Sequence, residues 1–359
     1  MTLGAIALRA LIVGFIVSFA VITGFAYTTL LERKFLARLQ HRVGPNRAGY
    51  IPLPRRGRSE RKLLGGILQP AADAVKLFFK EDATPGDADR LVYNLAPMMA
   101  VIPAILILAV IPWMPGFSLF GAVFEPYFAI APGVNVGVLF ILAITSIGVY
   151  GVVLGGWGSA SKYSVLGGIR ASAQMISYEL ALGLSLLPPI MLANSMDLGV
   201  IVEAQGPFWG EWDLPFVIIQ FPAALIFFIG AMAELQRHPF DLLEAEQELS
   251  SGYNVEYGGM RFGMFFMAEY MKMVSLSAIF AALFLGGYYG PIPFAADLPV
   301  IGLINMLIKI ILSLMLMIWI RASWPRFRYD QLMAFGWKRL LPFALANVVL
   351  TGALIVLFG

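Results

Sequence analysis

The chain has 359 residues, of which 59 % are hydrophobic and only 13 % charged, whereas a soluble domain carries about 25 % charged residues. A water-soluble fold is therefore excluded. The formal net charge of +3 belongs to membrane-proximal segments and implies no nucleic-acid partner.

A bilayer core is crossed by roughly 20 apolar residues in a helix. Stretches of that kind are expected near 5–30, 92–113, 133–156, 174–194, 214–233, 264–287, 300–321 and 339–358. The fold class that follows is all-α: a polytopic integral membrane protein, one membrane domain over 1–359, with about eight transmembrane helices. The first span precedes its basic run instead of following it, so it reads as a retained helix and not as a signal peptide.

After it comes a long loop, 31–91, with a helix-like run from Pro70 to Lys80 that opens with proline in its first turn. Ala71, Val75, Phe78 and Phe79 share one face, and Asp73, Lys76 and Lys80 the other. That pattern suits an interfacial amphipathic helix, and it equally suits a helix packed against the spans. Between Ile51 and Gly66 lies a basic excursion holding Arg55, Arg56, Arg58, Arg61 and Lys62, read as a solvated loop near anionic headgroups.

The later loops on the same side are 157–173, 234–263 and 322–338. Of the 25 Lys and Arg residues, all but Arg9, Lys272 and Lys309 fall in these four segments or at their borders. The opposite loops carry Glu125, Asp197, Glu203, Glu211, Asp213 and Asp297 and no Lys or Arg. By the positive-inside rule both termini lie outside and the basic loops are cytoplasmic.

Glu179, Glu234, Glu269, Lys272 and Lys309 stand within or at the ends of spans. A charge near the bilayer centre costs at least about 2.5–3.5 kcal/mol on insertion scales, so such a set points to proton or ion handling, with helix-to-helix glue as the structural alternative. Glu269 and Lys272 are three apart and could neutralise one another, and Lys309 has Asn305 one turn earlier. The loop 234–263 adds Asp241, Glu244, Glu246, Glu248 and Glu256, facing Arg237 and Arg261. So dense an acidic run docks a basic partner, passes protons, or is a solvated face.

With no cysteine there are no disulfides and no thiolate ligation of iron–sulfur clusters by this chain. His41 and His238 both lie in loops, so an intramembrane bis-His haem and a metal site are not expected; His238 reads as a surface histidine. There is no GxxxxGK[ST] and no strand-borne GxGxxG to cradle a nucleotide.

Four long blocks, in this order, carry a family resemblance: ERKFLARLQHRVGPNRAG running on to LQPAADAVKLFFKED, GWGSASKYSVLGGIRASAQMISYE, AELQRHPFDLLEAEQELSSGYNVEYGGMRFGMFFMAEY, and IRASWPRFRYDQLMAFGWKRLLP. Over nearly its whole length the chain resembles the H subunit of NADH–quinone oxidoreductase, respiratory complex I. The resemblance implies a polypeptide that joins the hydrophilic arm to the membrane arm and encloses much of the tunnel by which quinone enters. The quinone-binding positions it implies are Glu32, Arg33, Arg42, Asp73, Phe262, Phe266, Met267 and Arg321. The implied proton pathway runs through Asp241, Glu244, Glu246 and Glu248 and then Glu234, Glu179 and Glu269.

It further implies that quinone is the substrate, that FMN and iron–sulfur clusters reside in partner subunits, and that this chain alone is not catalytic. The partners would be the quinone-site subunits of the hydrophilic arm, neighbouring small membrane subunits and the bilayer, in a cell inner membrane or its organelle equivalent. Two departures stand out: the excursion 51–66, where the family usually has a short turn, and His238, where it generally has a small residue. A ferredoxin-linked quinone reductase would share this fold. A stand-alone ion-coupled transporter is the other reading, although no inverted repeat or matched pair of Gly/Pro-broken spans is visible.

Overall fold

The computed structural model of the chain describes residues 3–49, 51–52, 62–63, 65–119, 122–206, 214–241, 252–290, 292 and 298–358. The helices are α1 (Leu3–Leu39), α2 (Gln69–Phe79), α3 (Arg90–Leu106), α4 (Gly137–Gly158), α5 (Lys162–Ala193) and α6 (Leu198–Ala204). There follow α7 (Phe216–Ile219), α8 (Phe221–Glu234), α9 (Gly259–Phe284), α10 (Pro299–Ser323), α11 (Tyr329–Phe335) and α12 (Leu341–Phe358). Among the described residues seven helical stretches are long and apolar enough to cross a membrane, as an all-α polytopic protein requires.

The fifth expected span departs from a single rod. Helix α8 has 14 residues, about 21 Å at 1.5 Å per residue, short of a ~30 Å hydrocarbon core. The four-residue α7 precedes it, and the chain breaks at Gln220, where φ is −118° and ψ 44°, just before Pro222. Backbone irregularity at membrane depth needs polar partners. The Gln220 backbone has them, donating to the Phe216 carbonyl at 2.6 Å and accepting from the Ala224 amide at 3.0 Å. Its side-chain amide ties the break to α12 by donating to Thr351 at 3.1 Å and accepting from Asn347 at 3.5 Å.

Two helices also begin earlier than their apolar windows. Helix α5 starts at Lys162 and the last helical stretch at Tyr329, so Lys162, Arg170, Lys338 and Arg339 lie on helices and not in loops. Hydropathy marks only the lipid-embedded part of a helix; backbone hydrogen bonding carries the rest beyond the membrane.

Helix α9 is the hub. Its apolar window is 83 % buried, against 22 % for α1 and 17 % for the last stretch, so α9 is enclosed by protein while the terminal helices line the periphery. Helices α3, α4 and α5 pack by the close backbone approach that small residues permit in membranes. A Cβ on Gly151 would sit 2.7 Å from the Ala100 amide nitrogen, and one on Gly156 2.6 Å from the Ser164 carbonyl.

Strands β1 (Ile51–Pro52) and β2 (Lys62–Leu63) pair antiparallel and close the base of the basic excursion, whose residues 53–61 and 64 lie outside the described residues. Strands β3 (Met114–Leu119) and β4 (Ala122–Phe128) form a hairpin at the opposite end. Tyr127 on it donates to Asp197 at 2.5 Å, and Asp197 in turn accepts from the Gly199 amide to cap α6.

Lys309 acts within this architecture. Its ammonium donates to the carbonyls of Leu285, Gly287 and Tyr289, the turn that leaves α9, at 2.8 Å for Gly287. Asn305 holds the Tyr288 and Ile292 carbonyls of the same turn. These contacts tie α10 to the turn that ends α9, the helix-to-helix contact the sequence offered beside ion handling.

Candidate functional site

Three helices and the turn after α8 converge on one buried carboxylate. Glu32, 2 % exposed on α1, accepts from Arg237 at 2.8 and 3.0 Å, from the Tyr270 hydroxyl at 2.6 Å and from Arg321 of α10. Arg237 follows α8 in the chain and is itself buried. Its guanidinium also pairs with Glu269 and lies 4.4 Å from the centre of the Tyr270 ring. A buried carboxylate is tolerated only when paired and hydrogen-bonded, and charge-assisted bonds from guanidinium are the strong kind.

The residue after Glu32 turns outward. Arg33 reaches Asp73 of α2 at 2.7 Å, and Gln69 donates to the same carboxylate at 3.0 Å. These contacts fix α2 beside α1, while Leu77 lies against Gly263 of α9. No residue of α2 is buried, and Val75, Phe78 and Phe79 are 56, 69 and 86 % exposed. The apolar face is thus uncovered by the spans, and the side bearing Asp73 and Leu77 faces the protein. Of the two readings the sequence left open for this helix, that is the geometry of the interfacial one.

An aromatic ladder runs from this region toward Glu32. Phe262 stacks on Phe266 with ring centres 6.3 Å apart, and Phe266 meets Tyr270 at 4.7 Å, at four-residue spacing along one face of α9. Phe262 is 37 % exposed and Tyr270 buried, so the ladder leads from the surface inward. Met267 is half-buried and packs between the two main hydrophobic clusters.

Across Glu269 lies a second chamber. A cavity of about 50 Å³ is lined by Glu234, Gln236, Glu269 and Lys272 among apolar walls that include Tyr253 and Phe265. A water needs roughly 10–15 Å³ on this measure, so the cavity has room for several. Glu234 is 4 % exposed and its Oε2 has no hydrogen-bond partner among the described residues. Lys272 is also buried and interacts electrostatically with Glu234 and Glu179. Gly148 of α4 makes room for it, since a Cβ there would sit 2.9 Å from the Lys272 ammonium. Glu269 takes Arg237 as its ion-pair partner in place of Lys272, the one the sequence spacing suggested. Above the cavity, Tyr257 stacks on Tyr93 at 4.2 Å, and burial pushes the Tyr257 phenol well above its usual range.

Glu179 is set apart on α5, facing a groove between α4, α5 and Leu341. It accepts from Ser146 and, at 3.3 Å, from Thr145. Asp241, 6 % exposed, stands 3.3 Å from the His238 imidazole. Glu244, Glu246 and Glu248 lie outside the described residues. Arg42 does not join the cluster; it lies exposed in the turn after α1 and donates to Gln40 at 2.7 Å.

Three contributors were not singled out from the sequence. Arg237 counted only as a loop cation, yet a buried Glu32 required one. Tyr270 continues the spacing of Phe262 and Phe266, a signal present in the sequence. Gln174 of α5 donates to the carbonyls of Ala233 at 2.7 Å and Phe240 at 2.8 Å, pinning both ends of the turn that presents Arg237.

The profile of the family described as NADH dehydrogenase matches residues 12–352. The chain is 49 % identical to H subunit 2 of the NADH-quinone oxidoreductase of Syntrophobacter fumaroxidans, over 93 % of this chain and 92 % of that one. It is 46 % identical to the NADH-quinone oxidoreductase H subunit of Syntrophotalea carbinolica, over 94 % of each. A third relative, H subunit 2 of the NADH-quinone oxidoreductase of Koribacter versatilis, is 44 % identical over 99 % of this chain and 100 % of its own length. With matches of that strength along its whole helical frame, the chain belongs to the family of NADH-quinone oxidoreductase H subunits.

Proposed function

We propose that this chain forms much of the quinone tunnel of a proton-translocating NADH–quinone oxidoreductase and links quinone reduction to proton movement through buried carboxylates. The observation that carries this reading is the junction at Glu32. An aromatic ladder from the surface ends at a carboxylate held by two arginines, and the guanidinium of one also pairs with Glu269, which lines the polar cavity.

Each part has its chemistry. A quinone has an apolar tail, served by aromatic and aliphatic walls, and two carbonyls, served by donors such as arginine. Phe262, Phe266 and Met267 supply the wall; Arg33, Arg237 and Arg321 supply donors, with Glu32 and Asp73 orienting them. The uncovered apolar face of α2 suits contact with lipid, which supports entry to that ladder from the membrane. Glu234, Glu269 and Glu179, with Lys272 between them, are the proton-handling set, and Asp241, Glu244, Glu246 and Glu248 lead into it.

In this reading segments 31–91, 157–173, 234–263 and 322–338 face the cytoplasm and contact the hydrophilic arm, whose subunits hold the FMN and the iron–sulfur clusters. Both termini lie on the outer side of an energy-transducing membrane, by the asymmetry of Lys and Arg.

The test is mild-detergent extraction from native membranes, capture on a C-terminal tag and mass spectrometry of every polypeptide recovered. Flavin and iron–sulfur subunits with an NADH site are expected. Recovery of the arm without that module would assign a ferredoxin-type donor, and recovery of this chain alone would assign a stand-alone transporter.

A further inference from the structure

We infer that Arg237 is the residue through which the charge of Glu32 is coupled to the charge of Glu269. Glu32 belongs to the buried cluster at the end of the aromatic ladder, and Glu269 lines the polar cavity. One guanidinium pairs with both. This deepens the reading above and rests on it.

Charge must balance in so buried a place. Glu32 and Glu269 bring two negative charges, Arg237 and Arg321 two positive ones, and Glu32 and Arg237 are 2 and 6 % exposed. When either carboxylate takes up a proton, one guanidinium loses part of its compensation at low dielectric, where an unpaired charge is strongly disfavoured. Arg237 then relaxes toward the carboxylate that remains ionised. A planar fork of five donors is pre-organised to hold two carboxylates in one fixed geometry, which an ammonium, a point charge on a flexible stem, does not reproduce.

The surroundings limit where else the guanidinium can go. Tyr270 lies under it and donates to Glu32, and Gln174 anchors the turn that carries it. The other charges nearby are committed elsewhere: Arg33 to Asp73, His238 to Asp241, and Lys272 toward Glu234 and Glu179. Coupling through Arg237 is reciprocal by linkage, so proton uptake on the ladder side alters proton affinity on the cavity side and the reverse.

The experiment uses the assembled complex in sealed membrane vesicles, with NADH–ferricyanide turnover as the measure of assembly. The pH profile of quinone reduction is compared with and without Glu269→Gln, first with Arg237 and then with Arg237→Lys. With Arg237 in place, Glu269→Gln is expected to move the midpoint by about one pH unit, tenfold in proton affinity. With Arg237→Lys the same change is expected to leave the midpoint where it was. A shift of equal size in both backgrounds, or in neither, overturns the inference.

If Arg237→Lys does not assemble, Glu269→Asp decides with the native arginine. Aspartate keeps the charge but falls one methylene short of the fork, so a profile like that of Glu269→Gln supports the inference and one like the parent overturns it. Glu32→Gln separates the two levels. If it leaves quinone reduction untouched, the quinone reading itself fails; if it slows the reaction while the Glu269→Gln shift is blind to residue 237, only the coupling role fails.

Discussion

Arg237 donates to both carboxylate oxygens of Glu32, at 2.8 and 3.0 Å, across 205 positions of sequence. The pair joins the charged end of α1 to the turn after α8. Breaking a buried pair by removing one charge leaves the other uncompensated and costs roughly 3–5 kcal/mol. Glu32→Gln is therefore expected to lower the thermal stability of the detergent-solubilised complex and to slow quinone reduction together. Glu32→Asp, which keeps the charge, is expected to recover more of the stability than of the rate. A melting curve and a turnover assay on each variant check this.

The aromatic ladder makes a different prediction. Phe266 touches both Phe262 and Tyr270, and aromatic contacts are worth about 0.5–1.5 kcal/mol beyond area burial. Phe266→Ala is expected to raise the KM for quinone between about twofold and tenfold. The maximal rate and NADH–ferricyanide turnover should change less. Titration with quinones of differing tail length should show the larger defect for the longer tail.

Lys309 carries a prediction of the opposite kind. It satisfies three carbonyls of the turn leaving α9, and an unmet buried polar group costs about 1–3 kcal/mol. Lys309→Met is expected to lower thermal stability and to leave protons moved per electron unchanged. A fall in that ratio in well-assembled complex would assign Lys309 to the proton machinery instead of to the frame.

Glu203 gives a pH dependence outside the spans. Glu203 is exposed, and partial desolvation, with the nearby Asp197 charge second, holds its carboxyl above its ordinary value in the folded chain, so the effect on stability is small. A raised carboxyl binds its proton more tightly when folded than when unfolded. Stability therefore falls as pH rises from the ordinary value through the raised one. Glu203→Gln should be neutral in acid, below both values, and stabilising at neutral pH. Melting curves of parent and variant at the two pH values test the sign.

Much of the frame was legible because the bilayer imposes it. Apolar stretches longer than a lipid core and one-sided Lys and Arg mark the spans, and the cost of intramembrane charge marks Glu179, Glu234 and Glu269. What sequence could not show was partnership. Spacing suggested Lys272 for Glu269, because residues three apart share a helix face, yet the nearer counter-charge in space comes from Arg237, in another element. Gln220 hid the break in the fifth span for the same reason: its partners Asn347 and Thr351 lie far along the chain. The apolar face of α2 was readable, but which side of that helix meets protein depended on Arg33 and Gly263.

If buried carboxylates tie quinone reduction to proton movement, Glu234 is where the tie is tested most directly. It is buried, lines the polar cavity, and its Oε2 has no hydrogen-bond partner among the described residues. The measurement is proton translocation and quinone reduction side by side in sealed membranes carrying Glu234→Gln, with NADH–ferricyanide turnover to show equal assembly. Loss of a proton-transferring group costs on the order of a hundredfold or more. Proton translocation is expected to fall on that scale and quinone reduction to slow with it, while ferricyanide turnover stays at the parental rate. Proton translocation and quinone reduction both at parental rates would contradict the proposed coupling.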